Sequence, residues 1–432
     1  MFWEQDLECM ERGELKQLQL ERLQSTLNRV SRNVPLYRNR FDELALDPDD
    51  FLSLDDVRRL PFTTKEDIRE HYPYGLFAVP LREVVRLQSS SGTTGKPTVV
   101  GYTKNDLGKW TDMCARILCA GGLCRDDVLQ IAYAYGLFTG GFGLHYGAER
   151  LGVSVIPSSS GNARRQIMIM QDYRTTALTC TPSYGLHLAD TMMDMGVNVN
   201  TLTLKFGLFG AEPWSEAMRE ELQERLNIVA TDNYGISEVL GPGIAGECLE
   251  RNGLHMNEDH FFLEIVDPDS GDPVPEGDIG ELVLTSLTKE AFPVIRFRTG
   301  DLTRLVPGDC PCGRTHQRIH RVLGRTDDMF TLRGINVFPS QVEQVLLAVE
   351  GAEPHYQILL ERDNHLDKAT VHVEVSDQFN WDQLGKHQEL LELVQKRLSS
   401  ELGVSFAVKL VENKSLERGE GKAKRVIDKR SF

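Results

Sequence analysis

A loop rich in hydroxyl side chains and glycine follows a short apolar run early in the chain. It reads Ser89-Ser90-Ser91-Gly92-Thr93-Thr94-Gly95-Lys96-Pro97-Thr98. Hydroxyl groups, together with backbone N–H groups that glycine leaves accessible, are donors that can surround polyphosphate oxygens, and the lysine adds a positive charge. The spacing is not that of a Walker A loop, because two residues, and not four, separate the two glycines. The same composition is also typical of a flexible surface loop, so its context must decide.

The context is a series of apolar runs that each end in a polar, glycine-containing or proline-containing loop. We predict strands at residues 84–87, 128–132, 153–156, 177–180, 204–209 and 228–231. Helical segments lie between these runs, and that alternation predicts a parallel α/β sheet. Ligands of such sheets bind outside the carboxyl ends of the strands, where these loops would lie. The loop from Ser89 to Thr98 therefore has neighbours of the kind that a phosphate site needs.

The second half of the chain predicts two further units. Residues 261–306 contain strand-like runs separated by proline and glycine turns, which indicates an antiparallel or β-barrel-like subdomain. After residue 325 a small α+β unit begins, in which Ser340 and Glu343 form a candidate capping box for an amphipathic helix. We therefore expect a large N-terminal domain of residues 1–325 and a small mobile C-terminal domain of residues 326–432.

Composition excludes several classes of protein. The 432 residues carry a net charge of −16, which argues against a general nucleic-acid binder because phosphate binding depends on lysine and arginine. No apolar run is long enough to span a bilayer, and the first residues lack the basic start and apolar core of a secretory signal. The eight cysteines are then expected to be reduced thiols or metal ligands, and the location to be cytoplasmic.

Four of the potential metal ligands occur in two pieces of the chain. Cys310 and Cys312 form a tight pair, and Cys248 and His255 flank an earlier loop. Four soft ligands suit tetrahedral structural zinc. His260 and His316 are rival fourth ligands, and the alternative is two unrelated loops with reduced thiols.

At this point the chain resembles the acyl-adenylate-forming, AMP-binding ligases, and within them the phenylacetate–CoA ligase family. The resemblance covers the chain from about residue 30 to the C-terminus and rests on the order of six motifs. These are the loop at Ser89–Thr98, Gly210-Ala211-Glu212-Pro213, Tyr234-Gly235-Ile236-Ser237-Glu238, Arg298-Thr299-Gly300-Asp301, Gly324-Arg325-Thr326-Asp327-Asp328 and Gly419-Glu420-Gly421-Lys422.

The resemblance implies a two-step reaction of a carboxylic acid, preferably phenylacetate or another aryl acetate, with ATP and coenzyme A. It implies that Lys422 is catalytic, that Glu238 is catalytic and binds Mg²⁺, that Asp327 is the hinge, and that Arg333 and Gly334 face coenzyme A. It also suggests a homodimer. The implied nucleotide-binding residues are Ser90, Ser91, Gly92, Thr93, Thr94, Gly95, Lys96, Gly210, Ala211, Glu212, Pro213, Asn233, Tyr234, Gly235, Ser237, Asp301 and Arg325.

The acid pocket is expected at Tyr135-Gly136-Leu137-Phe138-Thr139-Gly140-Gly141, which resembles the family segment that lines the aryl site. Aromatic and small residues suit an apolar acid of modest length, so Tyr135, Gly136 and Phe138 are the candidate substrate contacts. A buried packing segment is the alternative. For the whole protein, two other functions stay open: adenylation followed by transfer to an acceptor other than coenzyme A, and a non-catalytic adenylate-binding module.

Overall fold

The computed structural model describes residues 1–89, 98–326, 330–332, 335–363, 366–376, 379, 381, 383–416 and 425–429. Several predicted site residues lie outside these ranges. They are Ser90, Ser91, Gly92, Thr93, Thr94, Gly95, Lys96, Asp327, Arg333, Gly334 and Lys422. No helix among the described residues combines the length and the apolar character that crossing a membrane requires.

The helices and strands alternate over much of the chain. The helices are α1 (Gln5–Glu8), α2 (Arg12–Asn33), α3 (Pro35–Glu43), α4 (Lys65–Glu70), α5 (Lys104–Ala120), α6 (Thr139–Leu151), α7 (Ala163–Asp172), α8 (Pro182–Asp194), α9 (Glu216–Leu226), α10 (Pro339–Leu347) and α11 (Leu384–Leu402). The strands of the larger part are β1 (Arg86–Ser89), β2 (Val99–Tyr102), β3 (Val128–Ile131), β4 (Ser154–Ile156), β5 (Ala177–Cys180), β6 (Phe206–Gly210), β7 (Val229–Ile236), β8 (Gly241–Glu247), β9 (Leu254–Met256), β10 (Phe261–Val266), β11 (Gly280–Ser286), β12 (Phe297–Thr303), β13 (Leu305–Val306), β14 (Arg318–Ile319) and β15 (Gly324–Arg325). Those of the C-terminal part are β16 (Phe330–Leu332), β17 (Ile335–Val337), β18 (Ala352–Asp363), β19 (Leu366–Val375), β20 (Ala407–Val411) and β21 (Val426–Asp428).

A nine-stranded sheet forms the centre of the larger part, in the order β13-β14-β9-β8-β7-β6-β5-β3-β4. Five neighbouring strands of this sheet are parallel, as the alternation of strands and helices predicts: β7, β6, β5, β3 and β4. Strand β5 is buried at every residue, which fits a parallel strand covered on both faces. The carboxyl ends of β3, β5, β6 and β7 therefore meet at one edge, and the candidate motifs follow them there.

The remaining strands form smaller sheets. Strands β10, β11, β12 and β15 form an antiparallel sheet, and β1 and β2 form a hairpin whose ends adjoin residues 90–97. In the C-terminal part, the sheet β20-β19-β18-β21 packs with α10 and α11 around a core of its own. This mixed α/β fold, with a large N-terminal and a smaller C-terminal part, confirms the predicted fold class. The boundary at residues 325 and 326 stays a prediction.

Two strands extend further than the sequence indicates. Strand β7 continues to Ile236, so Asn233, Tyr234 and Gly235 lie in a strand and not in the predicted loop. The physical reason is the antiparallel partner β8, which hydrogen-bonds this second half of β7. Strand β12 likewise contains the Arg298–Asp301 motif, because β11 and β15 pair with it on either side.

The predicted capping box at Ser340 and Glu343 is wrong. Helix α10 begins at Pro339 after the cap residue Phe338, and Ser340 lies inside the first turn. The hydroxyl of Ser340 donates to the carbonyl of Leu323, next to β15. Glu343 is buried. Both side chains therefore make tertiary contacts, which local spacing does not reveal.

Candidate nucleotide and acid site

A buried carboxylate, Asp301, links two of the motifs at the sheet edge. The hydroxyl of Tyr234 on β7 donates to Asp301 Oδ2 over 2.6 Å, and the guanidinium of Arg325 on β15 forms an ion pair with Oδ1. Asp301 is 3% exposed. Burial, and then the nearby Asp301 carboxylate, raises the pKa of Tyr234 well above its ordinary value, so its hydroxyl stays a donor. An ionised carboxylate has about four acceptor positions, so Asp301 can accept further donors such as sugar hydroxyls.

Gly210 and Asn233 are neighbours on the parallel strands β6 and β7. A Cβ at Gly210 would lie 2.3 Å from the carbonyl oxygen of Asn233, so a side chain is excluded there. The amide of Asn233 donates to the carbonyl of Phe209 over 2.6 Å. Tyr133, at the end of β3, donates to the carbonyl of Gly210 over 3.1 Å. The strand ends around the predicted adenine-side loop are thus hydrogen-bonded to one another.

The two residues that follow Gly210 turn the chain sharply. Ala211 has φ 69°, in the left-handed region that is uncommon for residues other than glycine. Glu212 then accepts a hydrogen bond from the backbone N–H of Ser183 at the start of α8, over 2.7 Å. Sequence reasoning did not select Ser183 or Tyr133. The only available signal was their position at strand ends.

Glu238 lies in the short turn between β7 and β8 and is half-buried. The preceding Ser237 is within hydrogen-bond distance of Thr139, at the start of α6, with 3.0 Å between their hydroxyl oxygens. A Cβ at Gly235 would lie 2.1 Å from the carbonyl oxygen of Gly241. The turn that carries Glu238 is therefore closely packed on both sides.

The predicted acid segment lies beside the strand that leads into the phosphate loop. Ser89 N–H donates to the carbonyl of Leu137 over 2.9 Å, and the Gln88 side chain donates to the carbonyl of Phe138 over 3.1 Å. Tyr135 and Phe138 are half-buried, and Gly136 is exposed with φ 147°. These contacts bring the candidate acid pocket and the start of the phosphate loop together, as an attack of an acid on ATP would require.

Tyr135 is the first member of a series of polar contacts that the sequence did not indicate. Its hydroxyl lies 3.2 Å from His145 Nδ1, and His145 Nε2 lies 3.1 Å from Glu149 Oε1. His145 and Glu149 are four residues apart on α6, so their spacing alone is that of an ordinary helical pair. Burial raises the pKa of Tyr135, so this phenol is a neutral hydroxyl at physiological pH.

Part of the C-terminal region faces the adenine-side loop. Arg425 lies over the ring of Tyr356, 4.4 Å from its centroid, and 3.4 Å from the carboxylate of Glu343. Burial raises the pKa of Glu343 to about 7, and Glu212 contributes to that rise. Glu212 of the nucleotide motif is thus close enough to α10 to interact with it electrostatically.

The four predicted soft metal ligands meet in space. The ligand atoms of Cys248, His255, Cys310 and Cys312 all lie within 4.8 Å of one another, and the first three residues are buried. Cys248 Sγ is 3.7 Å from Cys310 Sγ, and Cys312 Sγ is 3.4 Å from His255 Nε2. The rival ligands point elsewhere, since His260 bonds Thr288 and His316 bonds the Met256 carbonyl. Three thiols and one imidazole fit a closed tetrahedral zinc site in chemistry and number.

Comparisons with known proteins agree with these motifs. A family model described as AMP-binding enzyme matches residues 23–288, and one described as AMP-binding enzyme C-terminal domain matches residues 334–430. The chain is 48% identical to a phenylacetate-coenzyme A ligase of Thermus thermophilus, with 100% of both chains covered.

Solved structures of a 2-hydroxyisobutyryl-CoA ligase are also similar. In the postadenylation state with 2-HIB-AMP, the TM-score is 0.93 at 29% identity, over 99% of this chain and 92% of the other. In the thioesterification state with 2-HIB-AMP and CoA, the TM-score is 0.73 at 30% identity, over the same shares. The chain is thus more similar in structure to the first of these two states of that ligase than to the second. On the full-length match and the two family models, the chain belongs to the phenylacetate–coenzyme A ligase family of the AMP-binding enzymes.

Proposed function

We propose that this protein joins phenylacetate, or a close aryl acetate, to coenzyme A at the expense of ATP. An oxygen of the acid carboxylate attacks the α-phosphorus. The bond from this phosphorus to the bridging oxygen breaks, and diphosphate leaves with its electron pair. The thiolate of coenzyme A then attacks the acyl carbon of the adenylate, and AMP leaves. The observation that carries the proposal is the 48% identity to a phenylacetate-coenzyme A ligase over the whole of both chains.

In this proposal the described residues bind and orient the nucleotide. Asp301 accepts hydrogen bonds from the ribose hydroxyls while Tyr234 and Arg325 hold its carboxylate in place. The other residues of the Gly210–Pro213 and Asn233–Ser237 motifs line the adenine and phosphate side. Glu238 is a half-buried carboxylate, and such an oxygen ligand suits Mg²⁺, which would offset the negative charge of the phosphates.

The remaining roles fall on residues outside the described ranges and stay predictions. The loop of Ser90 to Lys96 surrounds the phosphates, Lys422 stabilises the charge that develops in adenylation, Asp327 is the hinge, and Arg333 and Gly334 face coenzyme A. A homodimer, which the family resemblance suggests, and a cytoplasmic location, which the composition suggests, also stay predictions.

The first prediction is the order of acid substrates. We expect Tyr135 and Phe138 to line an aromatic site of limited length, so phenylacetate should have a larger kcat/KM than long-chain fatty acids. Diphosphate release, measured for a panel of acids with and without coenzyme A, tests this and the alternatives together. A larger kcat/KM for long-chain acids would show that the pocket assignment is wrong. Activity with a different thiol or amine acceptor only, or no diphosphate release with any acid, would favour the transfer enzyme or the binding module respectively.

We further propose that Cys248, His255, Cys310 and Cys312 bind one structural zinc ion. Their ligand atoms are already within 4.8 Å of one another, and they connect the segment after β8 to the segment between β13 and β14. A closed four-ligand site stabilises the fold and leaves no position for substrate.

The second prediction follows from that site. Metal analysis of the purified protein should find about one zinc per chain, as a single four-ligand site requires. Cys310→Ser should lower the melting temperature by several degrees while kcat measured well below that temperature changes little. Cys180→Ser, at a buried thiol away from the cluster, is the matched control and should keep the zinc. Fully stable protein that contains no metal would contradict the proposal.

A further inference from the structure

The turn between β7 and β8, residues 237–240, is held from behind by an aromatic residue on another element. The hydroxyl of Tyr102, the last residue of β2, donates to the carbonyl of Leu240 over 2.6 Å. Tyr102 is completely buried. Leu240 is two residues from Glu238, so this bond fixes the backbone close to the proposed magnesium ligand.

A second aromatic residue binds the backbone just beyond the same end of the turn, on β8. Trp110 on α5 stacks on Tyr102, with ring centroids 4.9 Å apart and an interplanar angle of 13°. Its Nε1–H donates to the carbonyl of Pro242 over 2.7 Å. Two stacked side chains therefore hold the carbonyls of Leu240 and Pro242, where the Glu238 turn enters β8.

Steric packing leaves this arrangement little freedom. Gly241 has φ 115°, and a Cβ there would lie 2.7 Å from Trp110 and 2.8 Å from Thr139. A Cβ at Gly143 would lie 2.6 Å from Trp110 and 2.8 Å from Pro242. Contacts below 3.0 Å require atoms to move, and the indole is fixed by its stack and its hydrogen bond. Displacement of Trp110 would therefore displace the turn.

The free face of Tyr102 is covered by a buried amine. Lys289 Nζ lies 3.4 Å from the Tyr102 ring centroid, and the indole stack leaves no space for it on the other face. Lys289 is 6% exposed, and within the described residues its Nζ has no hydrogen-bond partner. Lys289 therefore packs on the face of Tyr102 that Trp110 leaves open, and Tyr102 is enclosed on both faces.

We propose that Tyr102 and Trp110 are positioning residues that set the Glu238 carboxylate for the divalent cation. The inference rests on the proposed function, in which Glu238 binds Mg²⁺. Tyr133 provides an internal comparison on the adenine side, because its hydroxyl lies 2.8 Å from the carbonyl of Cys180 and 3.1 Å from that of Gly210, both at strand ends. The two tyrosines thus support different parts of one nucleotide site.

The third prediction tests whether Tyr102 supports the cation side of the site and Tyr133 the adenine side, with a readout other than turnover. Mn²⁺ substitutes for Mg²⁺ at oxygen ligands and can be titrated by electron paramagnetic resonance. With saturating α,β-methylene-ATP, whose P–C bridge prevents transfer of the adenylyl group to the acid, Tyr102→Phe should raise the Kd for Mn²⁺ about fivefold, the effect of one lost hydrogen bond. Trp110→Phe should have a similar effect. The matched variant Tyr133→Phe should leave that Kd unchanged and raise the Kd for the nucleotide.

Each outcome of this experiment is decisive. Glu238→Gln is measured in parallel, and an unchanged Mn²⁺ affinity in that variant would contradict the magnesium role of Glu238 and the inference with it. A large effect in Glu238→Gln, with wild-type affinity in folded Tyr102→Phe and Trp110→Phe, would overturn the positioning role alone. If Tyr102→Phe does not fold, Trp110→Phe decides. Equal Mn²⁺ defects in all three aromatic variants would indicate general loosening of the site and would also overturn the inference.

Discussion

Lys422→Ala is expected to lose acyl-adenylate formation by several orders of magnitude and to keep thioester formation from supplied acyl-adenylate. In adenylation two anions approach each other, and a lysine at the α-phosphate counts most in the transition state. In the second step a thiol attacks a carbonyl, and we expect the C-terminal part to turn to admit coenzyme A. Diphosphate release and acyl-CoA formation from synthetic phenylacetyl-adenylate, measured separately, report on the two steps.

Two variants control for position and for the turn itself. Lys424→Ala should retain adenylation. If Lys424→Ala loses adenylation while Lys422→Ala keeps it, the catalytic lysine is Lys424 and not Lys422. Asp327→Pro restricts the backbone at the hinge and should show the reverse pattern, with adenylate formed and thioester formation impaired. If neither lysine matters, the C-terminal segment does not enter the site and the account of domain closure fails.

Asp301→Asn is expected to lower kcat/KM for ATP about a hundredfold or more, a loss consistent with hydrogen bonds to a charged group. The carboxylate accepts from Tyr234 and pairs with Arg325, and an amide cannot accept equally on both sides. The variant would also leave the half-buried Arg325 guanidinium without its ion pair to Asp301. ATP and 2′-deoxy-ATP are compared, since the preference of the wild type for the ribose should largely disappear in Asp301→Asn.

The control for the loss of kcat/KM in Asp301→Asn is another buried carboxylate on the same sheet, which also pairs with an arginine. Glu264 on β10 accepts two hydrogen bonds from Arg296, each over 3.0 Å. Glu264→Gln should lower the melting temperature and leave the preference between ATP and 2′-deoxy-ATP unchanged. An undiminished preference for ATP in folded Asp301→Asn would show that this carboxylate does not bind the ribose.

The sequence by itself determined the fold class and the order of the motifs. Strands such as β5 are short and mostly apolar, and helices follow them, so the alternation predicted a parallel sheet whose loops share one edge. The four candidate zinc ligands were also selected from the sequence, because only a few residue types can bind zinc, and the structure brings them together. These are local or compositional signals, and they do not require knowledge of which segments meet.

The tertiary structure decided which residues meet across long separations in the chain. Tyr234 and Asp301 are 67 residues apart, and Cys248 and Cys310 are 62 apart. Strand β7 extends into its motif only because β8 pairs with it, and Ser340 bonds Leu323 in place of a local cap. Tyr102 and Trp110 have the composition of ordinary core residues. Their hydrogen bonds to the carbonyls of Leu240 and Pro242 depend on how β2 and α5 lie against the start of β8, which no local pattern encodes.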